Sequence, residues 1–185
     1  MRDLIVTQNV TLDGVIDAEA GWFAPAGGEV DQSDLVAAVA EHRAAADAFL
    51  VGRVTFEQLR GYWPARTDDT TGVSAYLDAV AKYVVSGTLE DPGWAGTTVL
   101  RGPALDAVRA LKSVPGKDIV TTGSLRLMRD LVPSGLVDEY RLFVFPVVLG
   151  RGQRLFEDGA GPGGLRLVET RPFRSGVVLL RYRTS

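Results

Sequence analysis

Residues Asp118 to Thr122 are β-branched at four of five positions, then Gly123-Ser124 turns the chain, and Leu127, Met128, Leu131 and Val132 follow at helical spacing. A run of that composition suits a strand covered on both faces, and the period change after the glycine predicts a helix lying on the sheet. Ser124 is a candidate N-cap for that helix. Pro133-Ser134-Gly135 ends it, and a long apolar strand is expected over Tyr140–Leu149. A helix N-terminus just after the carboxyl end of a strand presents free N–H groups and a positive dipole end, which is an anion site in open α/β sheets. The alternative is an ordinary strand–helix connection that binds nothing.

A second junction of the same kind precedes it. Asp47–Val51 reads as a strand, Gly52-Arg53 ends it, and Thr55-Phe56-Glu57-Gln58 fits the S/T-x-x-E/Q capping box that opens a helix. An arginine in such a turn can grip a phosphate with its planar fork, or can be a surface residue beside a capped helix. Two such junctions in one small α/β chain favour a ligand carrying phosphate.

The other segments fit around these two. Asp3–Val10 reads as a first strand, and Asp13-Gly14 as a turn. The loop Asp17–Glu29, with Trp22 and Phe23, is long enough for a binding role. Helices are expected over Asp31–Ala46, around Val73–Val80 and over Ala104–Ser113. Further strands are expected at Lys82–Ser86 and Thr97–Leu100, with an antiparallel pair at Leu165–Thr170 and Gly176–Arg183. Asp158–Gly164 is a glycine-rich loop. Gly150-Arg151-Gly152 lacks the third glycine of a dinucleotide fingerprint.

Composition removes several function classes. A net charge of −3 argues against a nucleic-acid surface. With no cysteine there is neither disulfide, zinc–thiolate site nor thiol catalysis, and no metal site is expected. The single histidine, His42, is the only base around which a Ser-His-Asp triad could form, and no G-x-S-x-G elbow accompanies it. The N-terminus does not read as a secretory signal, and no apolar run reaches the roughly 18 residues of a membrane helix. A soluble, cytoplasmic protein of one domain spanning residues 1–185 is expected.

Taken in order, the pieces resemble the dihydrofolate-reductase-like fold, and within it the reductase domain of bacterial riboflavin biosynthesis. The resemblance rests on Thr11-Leu12-Asp13-Gly14, Val51-Gly52-Arg53-x-Thr55, Val84-Val85-Ser86 and Gly123-Ser124-x-x-Leu127. It continues through Gly135-Leu136-Val137-Asp138-Glu139 and Pro146-Val147-Val148-Leu149-Gly150-x-Gly152. It implies a three-layer α/β/α fold with a mixed, mostly parallel central sheet and a C-terminal antiparallel hairpin. It also implies a reductase that takes hydride from NADPH.

By the same resemblance Gly52, Arg53 and Thr55 would hold cofactor phosphates. Ser86 and Arg101 would border the adenosine and its 2′-phosphate, and Gly123, Ser124 and Leu125 would embrace the pyrophosphate and nicotinamide side. Trp22 and Phe23 become candidate substrate walls, and Asp13 a candidate catalytic residue, through hydrogen bonding or proton supply. Many family members carry Gly-Gly where this chain has Thr122-Gly123. Asp34 is the nearest candidate for the carboxylate that dihydrofolate reductases use, at a spacing that does not match. The family's habit and the apolar strand near Tyr140 suggest a homodimer. The expected function is therefore that of an NADPH-dependent reductase of a small polar heterocycle, resembling 5-amino-6-(5-phosphoribosylamino)uracil reductase. The alternatives are reduction of dihydrofolate or another heterocycle, and NADPH binding without catalysis.

Overall fold

The computed structural model describes residues 1–17, 21–23, 30–156 and 161–185. The expected loops Asp17–Glu29 and Asp158–Gly164 lie partly outside these residues. Eight strands among the described residues form one sheet: β1 (Leu4–Thr11), β2 (Ala46–Gly52), β3 (Ala81–Val85), β4 (Thr97–Leu100), β5 (Asp118–Thr121), β6 (Glu139–Phe145), β7 (Leu165–Pro172) and β8 (Val178–Thr184). Their spatial order is β4-β3-β2-β5-β1-β6-β8-β7. The first six in that order are parallel, while β8 runs antiparallel to both β6 and β7. The helices are α1 (Ser33–Ala44), α2 (Arg53–Tyr62), α3 (Val73–Ala79), α4 (Ala104–Ser113) and α5 (Leu125–Leu131), the last running into a 3-10 turn at Val132–Ser134.

Alternation along the strands builds the two helical layers. On one face Leu4 and Val6 of β1, Ala48 and Leu50 of β2 and Ile119 of β5 pack with Val108 and Leu111 of α4 and with Leu127, Met128 and Leu131 of α5. On the other face Ile5, Phe49, Val51, Val84 and Val120 pack with Phe56 of α2 and Leu77 of α3. A separate cluster of Phe143, Phe173, Val177 and Leu179 lies on this second face under Ala38 of α1. Each fully buried Leu or Phe contributes about 1.5–3 kcal/mol relative to exposure.

Three sequence expectations are corrected here. Helix α2 starts at Arg53, so the Thr55–Gln58 capping box does not form; Gly52 is the N-cap, with no side-chain cap bond, and Thr55 falls in the first turn. Strand β6 ends at Phe145 rather than Leu149. Pro146 has no N–H to continue a ladder, and Val147 turns back to donate to the Phe145 carbonyl at 2.8 Å. Helix α1 begins at Ser33, where the Asp31 carboxylate accepts the Ser33 N–H at 2.9 Å. No helix among the described residues is long and apolar enough to cross a membrane.

Candidate active site

Six parallel strands end along a single edge of the sheet, so Thr11, Gly52, Val85, Leu100, Thr121 and Phe145 all deliver their loops to one place. At β2 and β5, which are neighbours, the following helices depart onto opposite faces: α2 to the Phe49–Val51 side and α5 to the Leu50–Ile119 side. Such a divergence opens a crevice at the carboxyl ends of the strands, where open α/β sheets bind ligands.

The two glycine turns meet in that crevice. The Gly52 N–H donates to the Gly123 carbonyl at 3.2 Å. A Cβ on Gly52 would run into Ser124 Oγ and stand 3.1 Å from Ser124 Cβ and 3.3 Å from its backbone nitrogen. A Cβ on Gly123 would stand 2.7 Å from Thr55 Oγ1. Four of the expected residues, Gly52, Thr55, Gly123 and Ser124, are thus in mutual contact. The Gly123–Ser124 peptide bond is cis, although Thr122 occupies the place of the family's first glycine. Ser124 is the N-cap of α5 and Leu125 its first residue. Arg53 stands exposed at the rim on the first turn of α2, its guanidinium 3.0 Å from Glu57.

Ser86 and Arg101 meet further along the same edge, at the ends of β3 and β4. The Ser86 hydroxyl accepts the N–H groups of Thr88 (3.2 Å) and Leu89 (3.0 Å), and Arg101 donates to the carbonyls of Gly87 (3.3 Å) and Leu89 (3.0 Å). Both therefore brace one turn.

At the β1 end, Asp13 ties two loops together. Its carboxylate accepts the Thr11 hydroxyl at 2.6 Å and the N–H groups of Leu149 at 3.3 Å and Gly150 at 2.8 Å. The Arg154 guanidinium donates to the Asp13 carbonyl. The hydroxyl bond from Thr11, followed by the Gly150 amide, lowers the Asp13 carboxyl to about 2, so at neutral pH it is an anion with no proton to give. Of the two roles expected for it, this geometry offers hydrogen bonding. Trp22 donates to the Asp17 carbonyl at 2.5 Å and packs edge-on against Phe145, the last residue of β6, and Phe23, with ring centroids 5.3 and 5.7 Å away. Asp34 is occupied elsewhere: it accepts the backbone N–H of Arg174 at 3.0 Å. Burial, then the nearby guanidinium of Arg141, lowers His42 to about 4, and its ring packs near Phe143.

The family model of the RibD C-terminal domain matches residues 2–179. The chain belongs to that family. It is 35% identical over 185 residues to the uncharacterized protein YyaP of Bacillus subtilis (strain 168), covering 98% of this chain and 94% of that protein. A putative riboflavin biosynthesis protein from Shewanella sp. PV-4 superposes with a TM-score of 0.73 at 18% identity, over 99% of each chain. A dihydrofolate reductase from Enterococcus faecalis complexed with NADP(H) superposes with a TM-score of 0.65 at 16% identity, over 98% of this chain and 95% of that one. The fold is the dihydrofolate-reductase-like one, with its antiparallel strands β6-β8-β7 at the C-terminal end.

In this RibD C-terminal domain the sequence reading missed two residues at the crevice floor. Strand β1 lies in the middle of the sheet, between β5 and β6, yet Asn9 is exposed and Thr7 half-buried. A parallel central strand is normally covered on both faces. The signal was present: Thr7-Gln8-Asn9 interrupts the apolar run of Leu4-Ile5-Val6 and Val10. Among the described residues, no cluster of three or more His, Cys, Asp or Glu could hold a metal ion.

Proposed function

We propose that this chain is an NADPH-dependent oxidoreductase that reduces a small polar heterocycle, akin to the uracil reductase of riboflavin biosynthesis. The observation that carries the reading is the contact of the two glycine turns, where Gly52 and Gly123 leave no room for a side chain and the first amides of α2 have no side-chain cap. Uncapped N–H groups beside a glycine turn suit a phosphate that must approach backbone closely. Gly52, Thr55, Gly123, Ser124 and Leu125 would hold the pyrophosphate side of NADPH, Arg53 would complement a phosphate at the rim, and Ser86 and Arg101 would flank the adenosine. Bound NADPH supplies the hydride; the protein's part is to orient the reactants and keep water out. Trp22 and Phe23 serve as substrate walls. Asp13 acts as a positioning residue that ties the turn after β1 to the Leu149–Gly150 segment, and the proton needed for reduction comes from another source.

Titrating the protein with NADPH and NADH, following nucleotide fluorescence, tests this reading. The Arg53–Glu57 pair is an exposed i,i+4 contact worth only about 0.3–0.5 kcal/mol, so Arg53→Ala should leave folding intact. Losing one charge-assisted bond of about 1.5–3 kcal/mol weakens NADPH binding by about 10- to 100-fold. Binding of neither nucleotide to the unmodified protein refutes the reading.

A second copy of the chain is the proposed partner. Tyr140 of β6 lies on the α5 side of the sheet, and that face continues through Leu142 and Val144 to Leu180 and Tyr182 of β8 and Leu167 of the edge strand. Leu165, Leu167 and Val168 are 37%, 50% and 42% exposed, an apolar display that an edge strand seldom leaves open. Light scattering at micromolar concentration should report twice the 19.8 kDa chain mass, and Leu167→Lys should return it to monomer; a monomeric wild type rules the partner out.

A further inference from the structure

Asn9 is a polar, exposed residue in the middle of the sheet with nothing in the fold that requires it. Counting along β1, it shares a face with Ile5, Thr7 and Thr11, the face that carries α1 and α2. Ile5 is packed under α2 with Phe56. Asn9 pairs in register with Phe143 of β6, which is packed under Ala38 of α1. Asn9 thus falls between the two helices, where neither covers the sheet. On its other side β5 leaves the ladder after Thr121, opposite Val6, and the chain that continues there is the Gly123–Ser124 turn. Two residues further along β6, on the same face, is Phe145, whose ring packs edge-on with Trp22. The uncovered patch is therefore bounded by the cofactor turn, an aromatic wall and a polar floor of Thr7 and Asn9.

The carboxamide of Asn9 makes no hydrogen bond to any described residue, in contrast to the carboxylates of Asp13 and Asp34 at this end of the sheet. Asp13 is committed to the Thr11 hydroxyl and the amides of Leu149 and Gly150, and Asp34 to the Arg174 amide. The group available on the floor is accordingly neutral, with one carbonyl acceptor and one NH2 donor side by side. That pair complements a ring carbonyl next to a ring N–H. It does not complement a protonated amidine edge, two adjacent donors that call for a carboxylate.

Building on the reading of this crevice as the substrate side of a reductase, we infer that Asn9 is a specificity-determining residue, which pairs with the neutral lactam edge of the substrate heterocycle and selects against protonated aminopyrimidine edges. Trp22 and Phe145 offer apolar surface to the rest of the ring. A site built around a hydrogen-bonding pair rejects a mismatched partner far more strongly than an apolar pocket does. Selection is thus expected to rest on this one side chain.

The test uses two matched bicyclic probes, lumazine for the lactam edge and 2,4-diaminopteridine for the basic one, titrated by their own fluorescence with and without NADP+. The wild type should prefer lumazine by about tenfold or more. Asn9→Asp, which changes one NH2 to an oxygen, should reverse that preference, and Asn9→Leu should weaken lumazine by about 100-fold. NADPH affinity, measured on the same samples, should stay within about twofold in both variants, which separates this inference from the reductase reading. If NADPH fails to bind, the reductase reading falls while the titrations without nucleotide still report on Asn9. If the wild type binds neither probe, or if both variants keep the wild-type preference, the inference is overturned.

Discussion

Gly52→Ala should reduce NADPH affinity by at least about 100-fold while the protein still folds, the largest effect expected of an added methyl group among the described glycines. The added Cβ collides with the Ser124 hydroxyl and lies 3.1 Å from Ser124 Cβ and 3.3 Å from the Ser124 nitrogen. The hydroxyl can rotate away, but the nitrogen belongs to the turn itself, so relief requires the β5–α5 turn to move off the β2–α2 turn. Overpacking of this kind costs about 1–3 kcal/mol of stability, which a domain can survive. Moving the turns apart breaks several phosphate contacts together. With each charge-assisted bond worth about 1.5–3 kcal/mol, loss of two accounts for 100-fold or more. Gly123→Ala should be milder, because its obstacle is Thr55 Oγ1 at 2.7 Å, the end of a side chain that has other rotamers. Gly61→Ala is the control: it lies near the far end of α2 with no atom within 4 Å of the added methyl. Nucleotide titration beside urea denaturation separates binding from folding. Wild-type affinity in Gly52→Ala would mean that the contact between the turns is not the cofactor cradle.

That contact explains both what the sequence disclosed and what it hid. The β2–α2 and β5–α5 junctions were legible one by one, because an apolar run followed by glycine and a helical period is a local signal. Their adjacency was not, since β2 and β5 pair across some seventy residues of chain (Ala48 with Ile119) and only the sheet order reveals it. The capping-box reading of Thr55 failed for a related reason. S/T-x-x-E/Q is a local motif, whereas here Gly52 passes straight from strand to helix and frees Thr55 to stand against Gly123. Asp13-Gly14 was read as a turn; the amides of Leu149 and Gly150 that hold its carboxylate lie far away in sequence. Asn9 was overlooked because one polar residue does not abolish a strand. Only the strand's central position makes its exposure informative.

Glu139→Ala should be the most destabilising substitution outside the apolar core, by about 3–5 kcal/mol. The residue was read as a lead-in to β6, yet it is that strand's first position and is 2% exposed. Its carboxylate accepts Arg141 Nε at 2.7 Å and Arg181 Nε at 2.8 Å, with an Arg183 guanidinium nitrogen 4.0 Å away. Arg141 is itself 4% exposed, and its other acidic neighbour, Asp118, is 3.8 Å distant. Removing Glu139 strands a buried guanidinium, and the cost is mostly that of an uncompensated charge rather than of the lost bonds. At about 2–4 °C per kcal/mol for a chain of this size, Tm should fall on the order of 10 °C. The pH dependence carries a second signature. Burial pushes the Glu139 carboxyl up, but the hydrogen bonds from Arg181 and Arg141 outweigh it, and the group lies below its ordinary value. Its stabilisation is therefore complete above the unfolded-state value of about 4.5 and is lost as pH falls through the lower folded value. Glu139→Gln keeps the shape without the charge, so its stability should decline less steeply between pH 5 and pH 3 than that of the wild type, as followed by thermal melts. Parallel curves for the two proteins would place the acid sensitivity in other carboxylates and leave Glu139 a neutral packing residue.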